Sequence, residues 1–267
     1  MATQIPDGKL HLIFCDIGQG DASLIVKGDF QMLIDTGPKN GGVVGCLSKH
    51  MPFWDRKVEV VVNSHPQTDH FGDLEQILRH YEVVTMVLSD VVPVGKAMVS
   101  AYESIERNNI KQYIARKGDR IRYGDLYFDV LWPEENRGEP VLSDSNQANG
   151  RALVLSLTYR DFGALFTGDI GEAEELALVA EGVLGPIDVL KVAHHGSKYS
   201  SSLAFDEKIR PKWAVVSVGA KNTYGHPAAE ILKRFELLGS HVWRTDQQGE
   251  AEFVADDRID EWHLLQR

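Results

Sequence analysis

Short apolar runs alternate along the chain with segments that show helical spacing. In the first half, runs rich in β-branched residues predict buried strands. These runs are LHLIFCDI, ASLIV, FQMLID, VEVVVNS and VVTMVLS. A glycine-rich turn over 37–45 leads into a short predicted helix, and further helices are predicted over 73–80 and 98–108. The first half therefore interleaves strands and helices.

The second half repeats this order of elements without a strong repeat of sequence. Strands are predicted at LYFDVLW, RALVLSLTY, GALFTG, IDVLKVA and WAVVSVG, and helices over 170–183 and 228–238. Alternating strands and helices indicate a layered α/β fold, and the hairpin-like DASLIVKGDFQMLID indicates mixed sheets. We predict one domain over 1–267, with halves of about 9–132 and 151–255 joined by the acidic, turn-rich segment 133–150.

Composition narrows the class of protein. The chain has 267 residues, of which 43% are apolar and 25% charged, which excludes a collagen-like or wholly disordered protein. No stretch approaches the ~20 apolar residues of a membrane span, and the N-terminal apolar piece is too short for a signal-peptide core. The chain as given is therefore predicted to be cytoplasmic, although an excised soluble domain of a membrane protein has the same features.

Cysteine content and charge set two further expectations. A chain of this length can bury most of its apolar surface, so folding is predicted to need neither a disulfide nor a metal. Cys15 and Cys46 are too few for a disulfide framework and lie in no C-x-x-C pair. Lys and Arg total 28 and Asp and Glu total 39, which gives a net charge of −11. This balance argues against nucleic-acid binding through a broad basic face.

The segment SHPQTDH, directly after a predicted strand, carries the most specific chemical signal. His65, Asp69 and His70 are three good metal ligands within six residues. Neutral imidazoles and an ionised carboxylate suit Zn²⁺ or another divalent transition ion. The alternative is a polar turn whose histidines cap backbone groups.

Three more polar residues or pairs follow predicted strands. AHHGS holds His194 and His195, which as neighbours point in different directions, so at most one is expected to bind a given metal. TGD holds Asp169 and LIDTG holds Asp35. Taken alone, each of these carboxylates is as well explained by a turn or a helix cap.

Taken together, these motifs resemble the metallo-β-lactamase fold superfamily in their order along the chain. Longer segments make the resemblance closer: DIGQGD, VLKVAHHGSKYSSS, SVGAKNTYGHP and RTDQQG are similar to the soluble hydrolase domain of the ComEC family, the DNA-uptake channel of competent bacteria. The resemblance runs from about residue 10 to 253. It implies a four-layer αββα sandwich of two mixed sheets flanked by helices, with the site at one edge of both sheets.

The same resemblance implies roles for individual residues. Asp35 would support the ligand loop by hydrogen bonding, His65 would bind one metal, and Asp69 and His70 would bind another. Asp169 would bridge the two ions, and either His194 or His195 would complete the second site. A phosphate would be held by residues that follow these ligands: Ser197, Lys198, Ser200, Asn222 and Tyr224. His226 would donate a proton to the leaving oxygen, or would be a structural histidine beside Pro227.

Two positions depart from the superfamily pattern. Gln67 stands where a histidine is usual, and Asn149 stands where the wider superfamily has another. The first metal site then keeps only His65 and Asp169 as strong ligands, because a neutral amide is a weak ligand for Zn²⁺. That site is expected to bind weakly, to fill only with substrate, or to prefer Mn²⁺ or Mg²⁺. We therefore expect one or two divalent ions, Zn²⁺ or Mn²⁺ with Mg²⁺ as an alternative.

The resemblance favours a metal-dependent phosphodiesterase or nuclease that cleaves DNA with a metal-activated water. One alternative is a small-molecule phosphodiesterase or other ester hydrolase, and another is a metal-poor, inactive binding or regulatory module. The partner is then DNA or another phosphodiester. Domains of this family are joined to membrane segments, so an excised domain is expected on the extracellular face. With a net charge of −11, DNA contact is expected to be short, metal-centred and weak.

Overall fold

The structure is a computed structural model that describes residues 5–136, 138–144, 147–256 and 261–265. The predicted joining segment 133–150 therefore lies partly outside the described residues, at positions 137, 145 and 146. Across the described part of the chain, the strands form two mixed sheets with helices on their outer faces.

The first sheet combines six early strands with two from the end of the described chain. Its strands are β1 (Leu10–Phe14), β2 (Ser23–Lys27), β3 (Phe30–Ile34), β4 (Lys57–Asn63), β5 (Glu82–Leu88), β6 (Lys111–Ile114), β14 (Ala251–Asp256) and β15 (Glu261–Leu265). Their order is β15-β14-β1-β2-β3-β4-β5-β6. Pairing is antiparallel from β15 to β3 and parallel from β3 to β6.

The second sheet has the same mixed character. Its strands are β7 (Arg120–Tyr123), β8 (Leu126–Trp132), β9 (Val154–Tyr159), β10 (Phe162–Phe166), β11 (Val189–Lys191), β12 (Trp213–Val216) and β13 (His241–Arg244). Their order is β13-β12-β11-β10-β9-β8-β7, antiparallel from β7 to β10 and parallel from β10 to β13. The prediction of mixed sheets is confirmed.

Helices cover the outer face of each sheet. The helices are α1 (Val43–His50), α2 (Thr68–Phe71), α3 (Leu74–His80), α4 (Lys96–Arg107), α5 (Glu172–Ala180), α6 (Leu203–Ile209), α7 (Ala229–Leu237) and α8 (Thr245–Gln248). One apolar cluster joins α1, α3 and α4 to the first sheet, and another joins α5, α6 and α7 to the second. The predicted αββα sandwich is confirmed.

A third apolar cluster fills the space between the sheets. It includes Phe14 and Phe253 from the first sheet and Phe128 and Tyr159 from the second, all fully buried. Because side chains alternate across a strand, Phe14 of β1 points between the sheets while Ile13 joins the cluster beneath the helices. Burial on both faces explains why the β-strand signal of β1 to β5 is so continuous.

The main differences from the predicted elements lie at sheet edges and in the last part of the chain. The predicted strands and helices are present, with ends shifted by a few residues; the helix predicted over 170–183 is Glu172–Ala180. The sequence pattern missed the strands β6, β7, β13, β14 and β15 and the helices α2, α6 and α8. Strand β6 is exposed at every position, and β7 is exposed at all but one. Such edge strands carry little hydrophobic signal because only their backbone joins the sheet.

A single disulfide joins Cys15, just after β1, to Cys46 in α1. The two Cα atoms are 6.0 Å apart, and both side chains are buried. The sequence prediction of no disulfide framework missed this pair, because cysteines separated by 31 residues carry no spacing signal. None of the helices within the described residues is long and apolar enough to cross a membrane.

Candidate metal centre

The predicted ligand loops meet at one edge of the two sheets. Asp35 follows β3, and the segment 64–70 follows β4. In the second sheet Asp169 follows β10, and the two histidines at 194–195 follow β11. Strands β3 and β4 are parallel, as are β10 and β11, so each pair ends at the same edge. Sites in α/β sheets are built from such carboxyl-terminal loops.

Asp35 lies behind these loops and fixes their positions. Its carboxylate accepts hydrogen bonds from the Ser64 backbone N–H at 2.7 Å, the Ser64 hydroxyl at 2.8 Å and the His70 Nδ1 at 2.9 Å. Asp35 is buried and has a φ of 60°, in the left-handed region that non-glycine residues rarely adopt. This strained backbone is held by the contacts of the carboxylate, which orient the His70 ring.

Three buried imidazoles are oriented in the same way. The Nδ1 of His65 lies 3.0 Å from the Ser64 hydroxyl, that of His70 contacts Asp35, and that of His195 donates to the Ser217 carbonyl at 2.9 Å. When these rings are neutral, the proton on Nδ1 faces its oxygen partner and Nε2 carries the lone pair that can bind a metal. All three Nε2 atoms are buried, and none has a hydrogen-bond partner among the described residues.

Asp169 faces these Nε2 atoms. Its Oδ2 lies 3.2 Å from His70 Nε2 and 3.7 Å from His195 Nε2, and its Oδ1 is buried with no hydrogen-bond partner in the described chain. Asp69 adds a carboxylate oxygen 3.4 Å from His195 Nε2. Buried polar atoms rarely lack a hydrogen-bond partner. Several such atoms around one point therefore indicate a ligand-binding site. Imidazole nitrogens and carboxylate oxygens fit a divalent transition ion there.

The close packing of carboxylates and imidazoles shifts the pKa values of these groups. Burial favours neutral Asp169, yet its pKa lies well below the ordinary value because the imidazoles of His70 and His195 face it. Burial lowers the pKa of His195, but Asp169 and Asp21 outweigh this and raise it to about 10. Burial and the neighbouring His70 lower the pKa of His65 to about 4. The facing carboxylates also raise the pKa of His70 against the effect of burial, so with no cation present they favour the protonated forms of His70 and His195.

Asp21 and Lys191 form a buried ion pair behind the histidines that the sequence analysis did not assign. Asp21 lies 3.6 Å from His70 Nδ1 and 3.4 Å from His195 Nδ1, and contacts the Lys191 ammonium. Against the cost of burial, Lys191 and His195 lower the pKa of Asp21. One group of side chains that could hold a metal ion has its ligand atoms within 4.8 Å of one another: Asp21, His70, Asp169 and His195. Within it Asp21 faces the Nδ1 atoms of both histidines, which supports the rings. The available signal was Lys191 itself, a charge within the apolar run IDVLKVA.

The loop that carries His194 and His195 has an unusual backbone. Both histidines adopt left-handed conformations, with φ of 50° and 54°. Gly196 has a φ of +79°, and a Cβ there would lie 2.6 Å from the Cβ of Pro227. The bend turns His195 into the buried cluster and leaves His194 at its mouth, with its Nε2 3.9 Å from Asp169. Of the two alternatives that the sequence left open, the geometry brings His195 into the cluster.

Two clefts meet at this cluster. The first, of about 510 Å³, is lined by Gln19, Pro38, Lys39, Gln67, Thr68, Asp69, Asp169, His194, His195, Lys221, Asn222, Thr223, Tyr224 and His226. The second, of about 500 Å³, is lined by Trp132, Val141, Gln147, Asn149, Gly150, Arg151, Asp169, Gly171, Glu174, His194 and Tyr199. Asp169 and His194 line both clefts, so the cluster is open to solvent on two sides.

Gln67 and Asn149, which replace the two usual histidines, contact each other across the site. The Gln67 Nε2 donates to the Asn149 Oδ1 at 2.5 Å. This bond joins the loop after β4 to the turn at Asn149–Arg151, which precedes β9 of the second sheet. Two residues that would supply imidazole ligands in the superfamily pattern thus form a polar bridge.

The structure does not bring Ser197 and Ser200 to the clefts. Both are buried, and neither lines either cleft. The Ser200 hydroxyl contacts the carbonyls of Ala193 and Ser197, both at 3.0 Å, and the Ser197 hydroxyl accepts from the Tyr199 N–H. The hydroxyls thus hold their own loop together.

Of the remaining residues predicted to contact substrate, some line the first cleft and one lines neither cleft. Asn222, Tyr224 and His226 all line the first cleft. The Asn222 side-chain amide donates to the carbonyls of Gly219 and His226, which closes their loop. Lys198 lies over the ring of Tyr199, 5.0 Å from its centroid, and lines neither cleft. The rings of Tyr224 and His226 are near parallel, 6.0 Å apart.

Comparison with known proteins gives a consistent result. A family model described as the metallo-beta-lactamase superfamily matches residues 15–220. ComE operon protein 3 of Bacillus subtilis (strain 168) is 29% identical, covering 95% of this chain and 34% of that protein. Competence protein ComA of Neisseria gonorrhoeae is 27% identical, covering 93% of this chain and 33% of that protein. The chain thus spans about a third of these relatives. The resemblance to the ComEC family that the sequence motifs indicate is confirmed.

Solved structures agree on the fold. The metallo-beta-lactamase fold protein YhfI from Bacillus subtilis aligns with a TM-score of 0.56 and 12% identity, covering 88% of this chain and 96% of that one. At this identity the likeness concerns the arrangement of strands and helices alone.

Proposed function

Because this chain belongs to the metallo-beta-lactamase superfamily, whose members are generally metal-dependent hydrolases, we propose that it is a phosphodiesterase that cleaves DNA. The relatives named as competence and ComE operon proteins support DNA as the substrate. The proposal concerns this domain, because the chain covers only about a third of each relative.

One observation carries the proposal. The buried cluster of imidazole and carboxylate atoms lies where two clefts of about 500 Å³ meet, and Asp169 and His194 line both. A substrate that extends in both directions from its reacting bond fits this arrangement, as a polynucleotide does. A small phosphodiester would need one cleft only.

We assign the ligands of one principal ion to His70, His195, Asp169 and Asp69, with His65 beside them. Gln67 and Asn149 bond each other, which supports a single tightly held ion rather than two. Its chemistry when bound is to lower the pKa of a water and to offset charge on the phosphate. Mn²⁺ and Zn²⁺ both suit mixed imidazole and carboxylate ligands, and Mg²⁺ is the third candidate.

The chain's own residues supply orientation and charge. Asp35 and Ser217 hold the Nδ1 atoms of His70 and His195, which aims the Nε2 atoms into the site. Lys39 and Lys221 line the first cleft and would attract the phosphate backbone. His226, in the same cleft, would donate a proton to the leaving oxygen.

The test is cleavage of labelled single-stranded and duplex DNA with Mn²⁺, Mg²⁺ or Zn²⁺. We expect metal-dependent cleavage, reduced by about 100-fold or more in Asp169→Asn, because a lost contribution of several kcal/mol has that effect on rate. Asp188→Asn is the matched control: this buried carboxylate lies at the opposite end of β11 and accepts from the Gly163 N–H. It should retain activity.

Other outcomes would select another function. Rapid cleavage of a chromogenic phosphodiester with none of DNA would indicate a small-molecule phosphodiesterase. No cleavage with any metal, together with less than a tenth of an equivalent of bound ion, would indicate an inactive binding module. Equal activity of Asp169→Asn and the wild-type protein would show that the assigned centre is not the catalytic one.

A further inference from the structure

A second group of metal-binding side chains lies on the outer face of the first sheet, beneath α1. Cys46, His50 and Glu250 each offer one ligand atom, and these atoms lie within 4.8 Å of one another. Cys15 is joined to Cys46 by the disulfide. The two cysteines and His50 are buried, and Glu250 is partly exposed.

The topology brings these four residues together from three parts of the chain. Strands β1 and β14 pair with Phe14 opposite Ala251, which places Cys15 and Glu250 at the adjoining strand ends. Both belong to the strand face that α1 covers, because Phe14 and Ala251 point between the sheets. Cys46 and His50 are four apart in α1, so they share one face of that helix.

We propose that reduction of the Cys15–Cys46 disulfide converts this cluster into a Zn²⁺ site. Two thiolates, one imidazole and one carboxylate are all ligand types that Zn²⁺ binds, and together they supply the four ligands of its tetrahedral coordination. In the oxidised protein the sulfurs are bonded to each other and are not available as thiolates. Metal binding and the disulfide therefore exclude each other.

The chemistry balances with a dithiol as reductant. The dithiol gives two electrons and two protons to the S–S bond and becomes a disulfide itself, which leaves two thiols in the protein. The metal then displaces both thiol protons, since only the thiolate binds. In the reverse direction, a small-molecule disulfide accepts two electrons from the two protein thiolates and two protons from water, the Cys15–Cys46 bond forms again and the ion is released.

The surroundings of His50 support a ligand role. Its Nε2 lies 2.9 Å from a Glu250 oxygen, on the side of the cluster, while its Nδ1 lies 3.7 Å from a Glu252 oxygen. A carboxylate behind a metal-bound imidazole is a common arrangement that fixes the ring and strengthens the ligand. The other carboxylate oxygen of Glu252 lies 2.8 Å from the Nδ1 of His11, which holds Glu252 in place.

This site is separate from the candidate metal centre but is connected to it by a short loop. Residues 16–21 run from Cys15 to Asp21, which contacts His70 and His195. The loop is closed by hydrogen bonds from Cys15 N–H to the Ala22 carbonyl and from Asp21 N–H to the Asp69 carbonyl. The two sites have no ligand in common.

The experiment is a Co²⁺ titration with and without reduction by a phosphine, which takes oxygen from water and leaves two thiols. The chain has only two cysteines, so thiolate-to-cobalt absorption in the near ultraviolet reports on this site alone. We expect that absorption in the reduced protein, its absence in the oxidised protein, and its loss when Zn²⁺ is added. Absence of the band in the reduced protein at saturating Co²⁺ would overturn the proposal.

Variants separate this site from the candidate metal centre and from misfolding. Cys46→Ala should abolish the band, and Glu252→Gln should weaken Co²⁺ binding by about 10- to 100-fold, as expected for the loss of a supporting carboxylate. Asp169→Asn should leave the band unchanged. His50→Gln keeps both cysteines, so it should fold in the oxidised state, as circular dichroism will show, and should lose tight binding after reduction. An unaltered band in His50→Gln would contradict the assigned ligand set.

Discussion

At the scale of single residues, the site depends on carboxylates that do not face the proposed ion. Asp35 holds the His70 ring and the Ser64 backbone, and Asp21 lies against the Nδ1 atoms of His70 and His195. These contacts select which nitrogen of each ring is available. Residues that do not bind the proposed ion thus determine which nitrogen of each histidine can bind it.

Asp35→Asn should weaken metal binding by about 10- to 100-fold, because an amide no longer stabilises the required tautomer of His70. Calorimetric titration with Mn²⁺ and Zn²⁺ measures the effect. Asp73→Asn, a buried aspartate that accepts from the Asn40 N–H outside the cluster, is the control and should bind normally. Equal affinities for wild type and Asp35→Asn would contradict this role.

Gln67→His with Asn149→His should raise the metal stoichiometry from one ion towards two. The two amides now bond each other, and the double substitution restores two imidazoles beside His65. Elemental analysis after gel filtration measures the stoichiometry. The single variants serve as controls and should stay near one ion, because each adds one imidazole only. A double variant that still binds one ion would show that backbone geometry, rather than residue type, limits the first site.

Lys191→Met should destabilise the fold by about 3–5 kcal/mol, since it leaves the buried Asp21 carboxylate without its cation. Denaturant unfolding measures the change. The double variant Lys191→Met with Asp21→Asn should recover part of the loss, because no uncompensated charge is then buried. Additive losses in the double variant would argue against the ion pair.

The sequence predicted the roles of those residues that belong to the ordered motifs. His65, Asp69, His70, Asp169 and one histidine of the pair at 194–195 were expected together, and the structure brings them to one edge. The choice of His195 was not predictable, because it depends on left-handed backbone angles in the loop. The supporting residues Ser64, Asp21 and Lys191 were missed, since hydrogen bonding across a site leaves no periodic signal.

At the scale of elements, helices α5 and α6 meet through two buried carboxylates. Glu175 of α5 accepts from the backbone N–H groups of Ser201 and Ser202, just before α6. Asp206 of α6 is fully buried near Arg234. Burial and the negative charge of Glu175 raise the pKa of Asp206 to about 8. The interface between these helices is therefore sensitive to pH.

Stability should fall as pH rises from about 4 to about 8. In this range Asp206 keeps its proton in the folded state and loses it on unfolding, since its unfolded pKa is near 3.8. The folded state then binds more protons, so the free energy of unfolding decreases with pH. Asp206→Asn should remove this part of the dependence, as thermal melts at several pH values will show. Parallel pH profiles for Asp206→Asn and wild type would contradict the assignment.

Buried strands were the elements that the sequence predicted best. Strands such as β3 and β4 are buried on both faces at the site end, so apolar runs marked them clearly. Edge strands β6 and β7 were missed because their side chains are largely exposed and only backbone pairing defines them. Helix α6 was missed as well; its burial is confined to three positions, Phe205, Asp206 and Ile209.

At the scale of the whole molecule, the proposed ion joins the two sheets. Its assigned ligands come from loops after β4 in the first sheet and after β10 and β11 in the second. An ion that binds the folded state but not the unfolded state stabilises the folded state by mass action. The net charge of −11, which first argued against a polyanionic substrate, includes carboxylates that a bound cation offsets.

Removing the metal with a chelator should lower the melting temperature by several degrees. An ion present at 100 times its dissociation constant contributes about 2.7 kcal/mol to the folded state. Differential scanning calorimetry of the oxidised protein, with and without Mn²⁺ or Zn²⁺, measures the shift. Asp169→Asn should show no such shift on addition of metal. A metal-induced rise in that variant equal to the wild-type rise would place the stabilising ion elsewhere.

The pairing of β1 with β14 has a consequence for biosynthesis. Phe14 pairs with Ala251, so the edge of β1 stays open until more than two hundred further residues have left the ribosome. During that time a strand with the apolar side chains Leu10, Leu12 and Phe14 has one unpaired side. The first sheet is completed only after β14 has been synthesised, and until then the nascent chain exposes an unpaired apolar strand edge that is prone to aggregation.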